Sequence, residues 1–69
     1  MHYSSLLQRL KDRREKLGVT QEQLAELAEV ALRTVKEIDA GKGNPTIGTL
    51  TKLADVLGME LKLEVRKPN

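Results

Sequence analysis

Residues 20–41 read TQEQLAELAEVALRTVKEIDAG, and two short amphipathic segments lie back to back in this stretch. The first opens at Thr20. Thr20-x-x-Gln23 has the form of a capping box, in which the Thr hydroxyl accepts the Gln23 amide and the Gln23 side chain returns to the Thr20 amide. Val19 before the cap and Leu24 after it are spaced to close a hydrophobic staple around the turn. Leu24, Ala25, Leu27 and Ala28 then recur at helical spacing and are expected to form an inner face. The second segment runs from about Leu32 to Ala40, with Val35 and Ile38 three apart and Val30 just ahead. Gly41 stands where a left-handed residue closes a helix. Only Glu29, Val30 and Ala31 separate the two segments. Two short helices joined by so brief a turn form the unit that places a helix in the major groove of DNA.

Working outward, Leu6, Leu7, Leu10 and Leu17 keep roughly helical spacing, with Ser5-x-x-Gln8 as a second capping-box pattern and Gly18 as the stop. On the other side, Asn44-Pro45 leads to Thr46 as a cap, and Ile47, Leu50, Leu53, Ala54 and Leu57 are expected to face inward before Gly58. Beyond Gly58 the period changes from 3.6 to 2. Met59, Leu61, Leu63 and Val65 alternate with Glu60, Lys62, Glu64 and Arg66, which reads as a strand with one apolar face. No other segment alternates in this way, so its backbone partner must come from another chain. Pairing with its own copy across a two-fold axis is the simplest closed solution. Lys67-Pro68-Asn69 reads as a frayed tail. The expected fold is mostly α: a four-helix unit over residues 1–58, followed by one C-terminal β-strand, within residues 59–69, that pairs across a dimer.

Composition narrows the function classes. At 69 residues the chain has room for one domain, and a domain this small is usually helped by disulfides, a metal or association. There is no Cys, and the single His2 cannot assemble a zinc site, so association is the aid that remains. An enzyme is not expected, and no cofactor is implied: the chain has no Gly-rich phosphate loop, and its carboxylates are scattered over helix surfaces. The absence of a long apolar stretch or an N-terminal apolar h-region leads to an expectation of a cytoplasmic protein. Net charge is only +2, but its distribution is uneven. Residues 1–19 carry five Lys/Arg against Asp12 and Glu15, whereas residues 20–40 carry Arg33 and Lys36 against five acids.

Finer spacing carries a resemblance. With Gln21 as the first position, small Ala25 falls at the fifth, where steeply crossing helices tolerate no bulk, and Val35 and Ile38 fall where the second helix plugs into the first. The chain resembles the XRE/Cro/C1-type helix-turn-helix family, with its lambda-repressor-like fold, over about residues 5–58. The resemblance rests on Thr20-Gln21-x-x-Leu24-Ala25-Glu26, on Thr34-Val35-x-x-Ile38-Asp39-x-Gly41-Lys42, and on Asn44-Pro45-Thr46 leading into Leu50-x-x-Leu53-Ala54-x-x-Leu57-Gly58. Two positions depart from it. Glu29 stands where the family has a left-handed Gly, and Ala31 stands where it has a Ser or Thr cap.

The resemblance implies that the exposed start and middle of the third helix read bases, through Leu32, Arg33, Lys36 and Glu37. Chemistry agrees in part: Arg pairs with guanine O6/N7, Glu accepts from cytosine N4, and Leu touches a thymine methyl. Lys36 has phosphate as an alternative. Contacts to the DNA backbone are implied for Thr20, Gln21 and the amides that open the second helix, and for Thr34, Lys42, Gly43 and Asn44. Taken without the motif, Arg33, Lys36 and Glu37 also read as a solvated helix face with an i,i+4 pair between Arg33 and Glu37. The family further implies an ion pair between Arg14 and Asp39. The other cations of the first helix read as a solvated face that attracts DNA through its field.

The tail narrows the likeness. A short helix-turn-helix unit followed by Met59-Glu60-Leu61-Lys62-Leu63-Glu64-Val65 resembles the HipB-type antitoxins, whose strands from two subunits pair into a small sheet. That resemblance implies a bacterial homodimer that represses its own operon at a palindromic double-stranded DNA operator and takes a HipA-like toxin as a further partner. Two alternatives stay open. One is a solitary phage-type or housekeeping regulator that uses the strand only to dimerise. The other is a protein-interaction module without DNA binding, which the acidic balance of residues 20–40 favours.

Overall fold

The computed structural model describes residues 3–66, so His2 and Lys67-Pro68-Asn69 lie outside the described residues. Four helices follow one another: α1 (Tyr3–Leu17), α2 (Gln21–Ala28), α3 (Leu32–Asp39) and α4 (Ile47–Val56). Their starts follow local chemistry. Thr20 Oγ1 accepts the Gln23 amide at 3.0 Å while Gln23 Oε1 accepts the Thr20 amide at 2.9 Å, closing the capping box. Thr46 Oγ1 likewise accepts the Thr49 amide at 3.1 Å. The cap expected at Ser5 is not formed, because α1 already runs from Tyr3 and Ser5 lies inside its first turn. Gln8 instead donates Nε2 to Asp12 Oδ1, one turn further on, at 2.8 Å.

One motif ends all four helices. The amides of Val19, Val30, Lys42 and Met59 return to the carbonyls of Arg14, Ala25, Glu37 and Ala54 at 2.8–3.1 Å. This closure requires a left-handed residue just before each of those amides. Gly18, Gly41 and Gly58 serve at three of the sites, and Glu29 serves at the fourth with φ +55°. Val19, Val30 and Met59 also turn inward and pack on the core. Lys42 is the polar member of the set, and it stands where the chain leaves α3.

The core lies where the helices converge, with α2 packed on α3 and α4, and α1 on α3. Leu7, Leu10, Leu24, Ala25, Ala28, Val35, Ile38, Leu50, Leu53, Ala54 and Leu57 form it. Leu7, Val35, Leu53 and Leu57 are each 1% exposed, so each contributes about 1.5–3 kcal/mol of burial. Two expectations need correction here. Leu27 is 65% exposed, because the stripe of α2 is centred among Leu24, Ala25 and Ala28 and leaves Leu27 on its flank. Ile47 is 74% exposed, because it is the first residue of α4 and the buried stripe starts at Leu50.

Past Gly58, Met59 folds back onto the core, and residues 60–66 are exposed. The strand expected over residues 59–65 is not formed in the single chain: no strand is present among the described residues, so the segment has no ladder partner. The segment runs beside α1 instead. With Leu6, Arg9 and Leu10 of α1 and Ala54 of α4 it frames a groove of about 790 Å³. Leu63 and Val65 stand open, at 101% and 94% exposure. Among the described residues, no helix is long and apolar enough to cross a membrane.

Candidate nucleic-acid interface

The position of α3 is fixed from its inner side. Val35 and Ile38 are buried in the core, which turns the opposite side of this two-turn helix outward. Arg33 and Lys36 are exposed on that outer side, Leu32 is partly buried against the core, and Thr34 and Glu37 are half-buried. Leu32, Arg33, Lys36, Glu37, Ala40 and Lys42 border one shallow depression of about 450 Å³. The four residues assigned to base reading therefore share one surface with Lys42. Within it, Arg33 Nε donates to Glu37 Oε1 at 3.2 Å, which is the i,i+4 pair that a solvated helix face also allows.

A charged network sets the angle of α3 against the rest of the fold. Arg14 Nη2 donates to Asp39 Oδ2 at 2.7 Å, and Arg14 Nη1 donates to the Val19 carbonyl at 2.7 Å. Gln21 Nε2 donates to the same Asp39 oxygen at 2.9 Å. One carboxylate at the end of α3 thus ties α1 to the start of α2, and Arg14 extends the network to the α1–α2 turn. The Arg14 and Asp39 side chains are only 12% and 10% exposed. At that depth each charge depends on the other, since a nearly buried ion without its partner is strongly disfavoured.

The network also limits what its members can reach. Arg14 is occupied inside the protein, and the Gln21 side chain is drawn toward Asp39. The Thr20 hydroxyl accepts the Gln23 amide. Any contact of the 20–21 corner with an anion would therefore run chiefly through backbone amides at the positive end of α2. Thr34 lies in the first turn of α3, whose N-cap residue, Ala31, supplies no side-chain cap. Lys42, Gly43 and Asn44 are exposed where the chain leaves α3.

Two contacts were beyond sequence reasoning. Gln21 joining Asp39 is one. The other is Arg13, whose Nε donates to the Leu57 carbonyl at 3.0 Å, placing a cation at the C-terminal end of α4. Arg13 is 44 positions from that carbonyl in the chain, and nothing in its local pattern distinguishes it from the other cations of α1. The acidic balance of residues 20–40 also takes on a different meaning. Asp39 is matched by Arg14 from outside the segment and Glu37 by Arg33, while Glu22, Glu26 and Glu29 belong to α2 and the turn after it. Among the described residues, no cluster of His, Cys, Asp or Glu is arranged to hold a metal ion.

A family model described as helix-turn-helix, HTH_3, matches residues 10–63, which span most of the chain. The protein belongs to this helix-turn-helix family, whose XRE-type members are DNA-binding regulators. No curated protein matches the chain.

Proposed function

We propose that the protein is a homodimeric transcriptional repressor in which α3 of each subunit enters one of two successive major grooves on the same face of a palindromic operator. The observation that carries this reading is the outward presentation of Arg33 and Lys36 on a helix whose other side is held by Val35, Ile38 and the Asp39 network. A helix held this rigidly places its side chains on base edges at little entropic cost. Arg33 has the shape for guanine and Leu32 for a thymine methyl, Lys36 reaches a base or a phosphate, and Glu37 stands beside them on the same surface. Thr20, Gln21, Thr34, Lys42, Gly43 and Asn44 flank these residues and set the register on the DNA backbone. No catalytic role and no cofactor belong to this reading.

The dimer part of the reading rests on the segment after Gly58. Leu61, Leu63 and Val65 are exposed on a backbone without a ladder in the single chain, and pairing with a second copy would satisfy that backbone and cover those side chains, with Met59 at the root. Residues 1–58 are then the DNA-binding domain and residues 59–69 the dimerisation strand and tail. Within this class, the alternating strand favours an antitoxin of HipB type that represses its own operon in the bacterial cytoplasm and binds a HipA-like toxin. A kinase-like reading frame beside the gene supports that version, and an isolated or phage neighbourhood supports a regulator without a toxin.

The test is selection of bound duplexes from a random library, followed by a salt titration on the recovered sequence. A palindrome with half-sites about one helical turn apart, or a multiple of that, is expected, together with a steep loss of affinity as salt rises. Recovery of no common sequence, with binding indifferent to salt, would refute DNA recognition and favour the protein-interaction alternative.

A further inference from the structure

Glu37 touches two elements at once. Its Oε1 accepts from Arg33 Nε at 3.2 Å within α3. Its other oxygen leans over the loop that follows, where a methyl group added to Gly43 would meet Oε2 at 3.1 Å and the Glu37 Cβ at 3.5 Å. The Glu37 carbonyl accepts the Lys42 amide at 2.8 Å, so the loop is folded against this one residue. The Glu37 side chain is 45% exposed and the Arg33 side chain 90%. Of the two, Glu37 is the supported member and Arg33 the one that projects into solvent.

An ion pair as open as this contributes little to folding, so stability is a poor account of why the carboxylate sits there. Its effect on the guanidinium is larger. A free arginine samples many rotamers, and ordering them opposes binding. Held through Nε, the side chain keeps its two terminal nitrogens outside the ion pair, and those two nitrogens form the fork that matches guanine O6/N7. Of the two Glu37 oxygens, Oε1 already accepts from Arg33 and Oε2 is turned back over Gly43. Resting on the DNA-reading function proposed above, we infer that Glu37 is a positioning residue that orients Arg33 toward guanine and does not itself read a base.

The test uses the full chain as wild type, Glu37→Gln, Glu37→Ala, Arg33→Ala and the double variant Arg33→Ala/Glu37→Ala. Each is bound to duplexes in which every base pair of a half-site is substituted in turn. Guanine preference at the position lost in Arg33→Ala is expected to fall about two- to five-fold in Glu37→Ala, and less in Glu37→Gln, which keeps an acceptor. Preferences elsewhere should hold, and Glu37→Ala should change nothing further once Arg33 is gone. A cytosine preference lost at a different position would overturn the inference by making Glu37 a direct reader, and unchanged preferences throughout would overturn it as well. Wild type and Arg33→Ala report separately on the parent reading: if wild type shows no base preference, DNA recognition itself fails.

Discussion

Glu29 is the residue at which local preference and the fold disagree most openly. It adopts φ +55°, ψ 45°, the only non-glycine with positive φ among the described residues, at a site equivalent to Gly18, Gly41 and Gly58 in the other helices. A side chain in this region costs about 1 kcal/mol or more, because its Cβ crowds the following carbonyl. Glu29→Gly is therefore expected to raise stability by about 1 kcal/mol in urea denaturation, and a loss would contradict the strain argument. Ala31 is the matching case at a helix start, where α3 has no side-chain cap. Ala31→Ser should add about 0.5–1 kcal/mol in the same assay, and no gain would show that the Ala31 backbone does not support a cap.

At the scale of elements, the fold depends on how α1, α2 and α3 are tied at Asp39. Removing Arg14 leaves a carboxylate only 10% exposed with an amide as its remaining side-chain partner. Arg14→Ala is expected to destabilise the fold by about 3 kcal/mol, read as a lowered melting temperature, and Arg14→Ala/Asp39→Ala should recover part of the loss. Full additivity of the two single variants would show that the pair is not coupled. Leu27 gives the opposite expectation, since it is 65% exposed. Leu27→Gln should change stability by no more than about 0.5 kcal/mol in a monomer, and a large loss would mean that its flank of α2 is covered.

Much of this level was legible in the sequence for local reasons. Thr20 and Thr46 fix their helix starts through bonds that span three residues, and Gly18, Gly41 and Gly58 mark closures that are equally local. Leu27 and Ile47 misled because hydrophobicity at helical spacing does not say where a stripe is centred or where packing along the helix begins. At Ser5 the cap pattern was present, but the helix had already started at Tyr3. Arg13 and Gln21 were not legible in their roles, because each finds its partner through the tertiary arrangement of helices. The Arg14–Asp39 contact spans 25 positions and was suggested by family likeness, not by any periodicity.

For the whole molecule, the interaction to be tested is the proposed pairing of two copies. Met59 belongs to the folded unit, since its amide closes α4 at 2.8 Å and its side chain packs on the core. The exposed apolar positions begin at Leu61. A chain ending at Glu60 should therefore keep its helical circular dichroism yet sediment as a monomer, and it should bind single half-sites only weakly. An intact dimer after that truncation would remove strand exchange and move the subunit contact elsewhere, with exposed Leu27 and Ile47 as places to look.

The claim on which the rest depends is that the outer side of α3 meets DNA. Amide chemical shifts of the labelled protein, followed by NMR during titration with a duplex carrying the selected site, test it most directly. The account predicts that the largest changes fall on residues 20–21, 32–37 and 42–44, while the buried stripes of α1 and α4 stay nearly still. Changes confined to α1 or to residues 59–66, with α3 unperturbed, would contradict it.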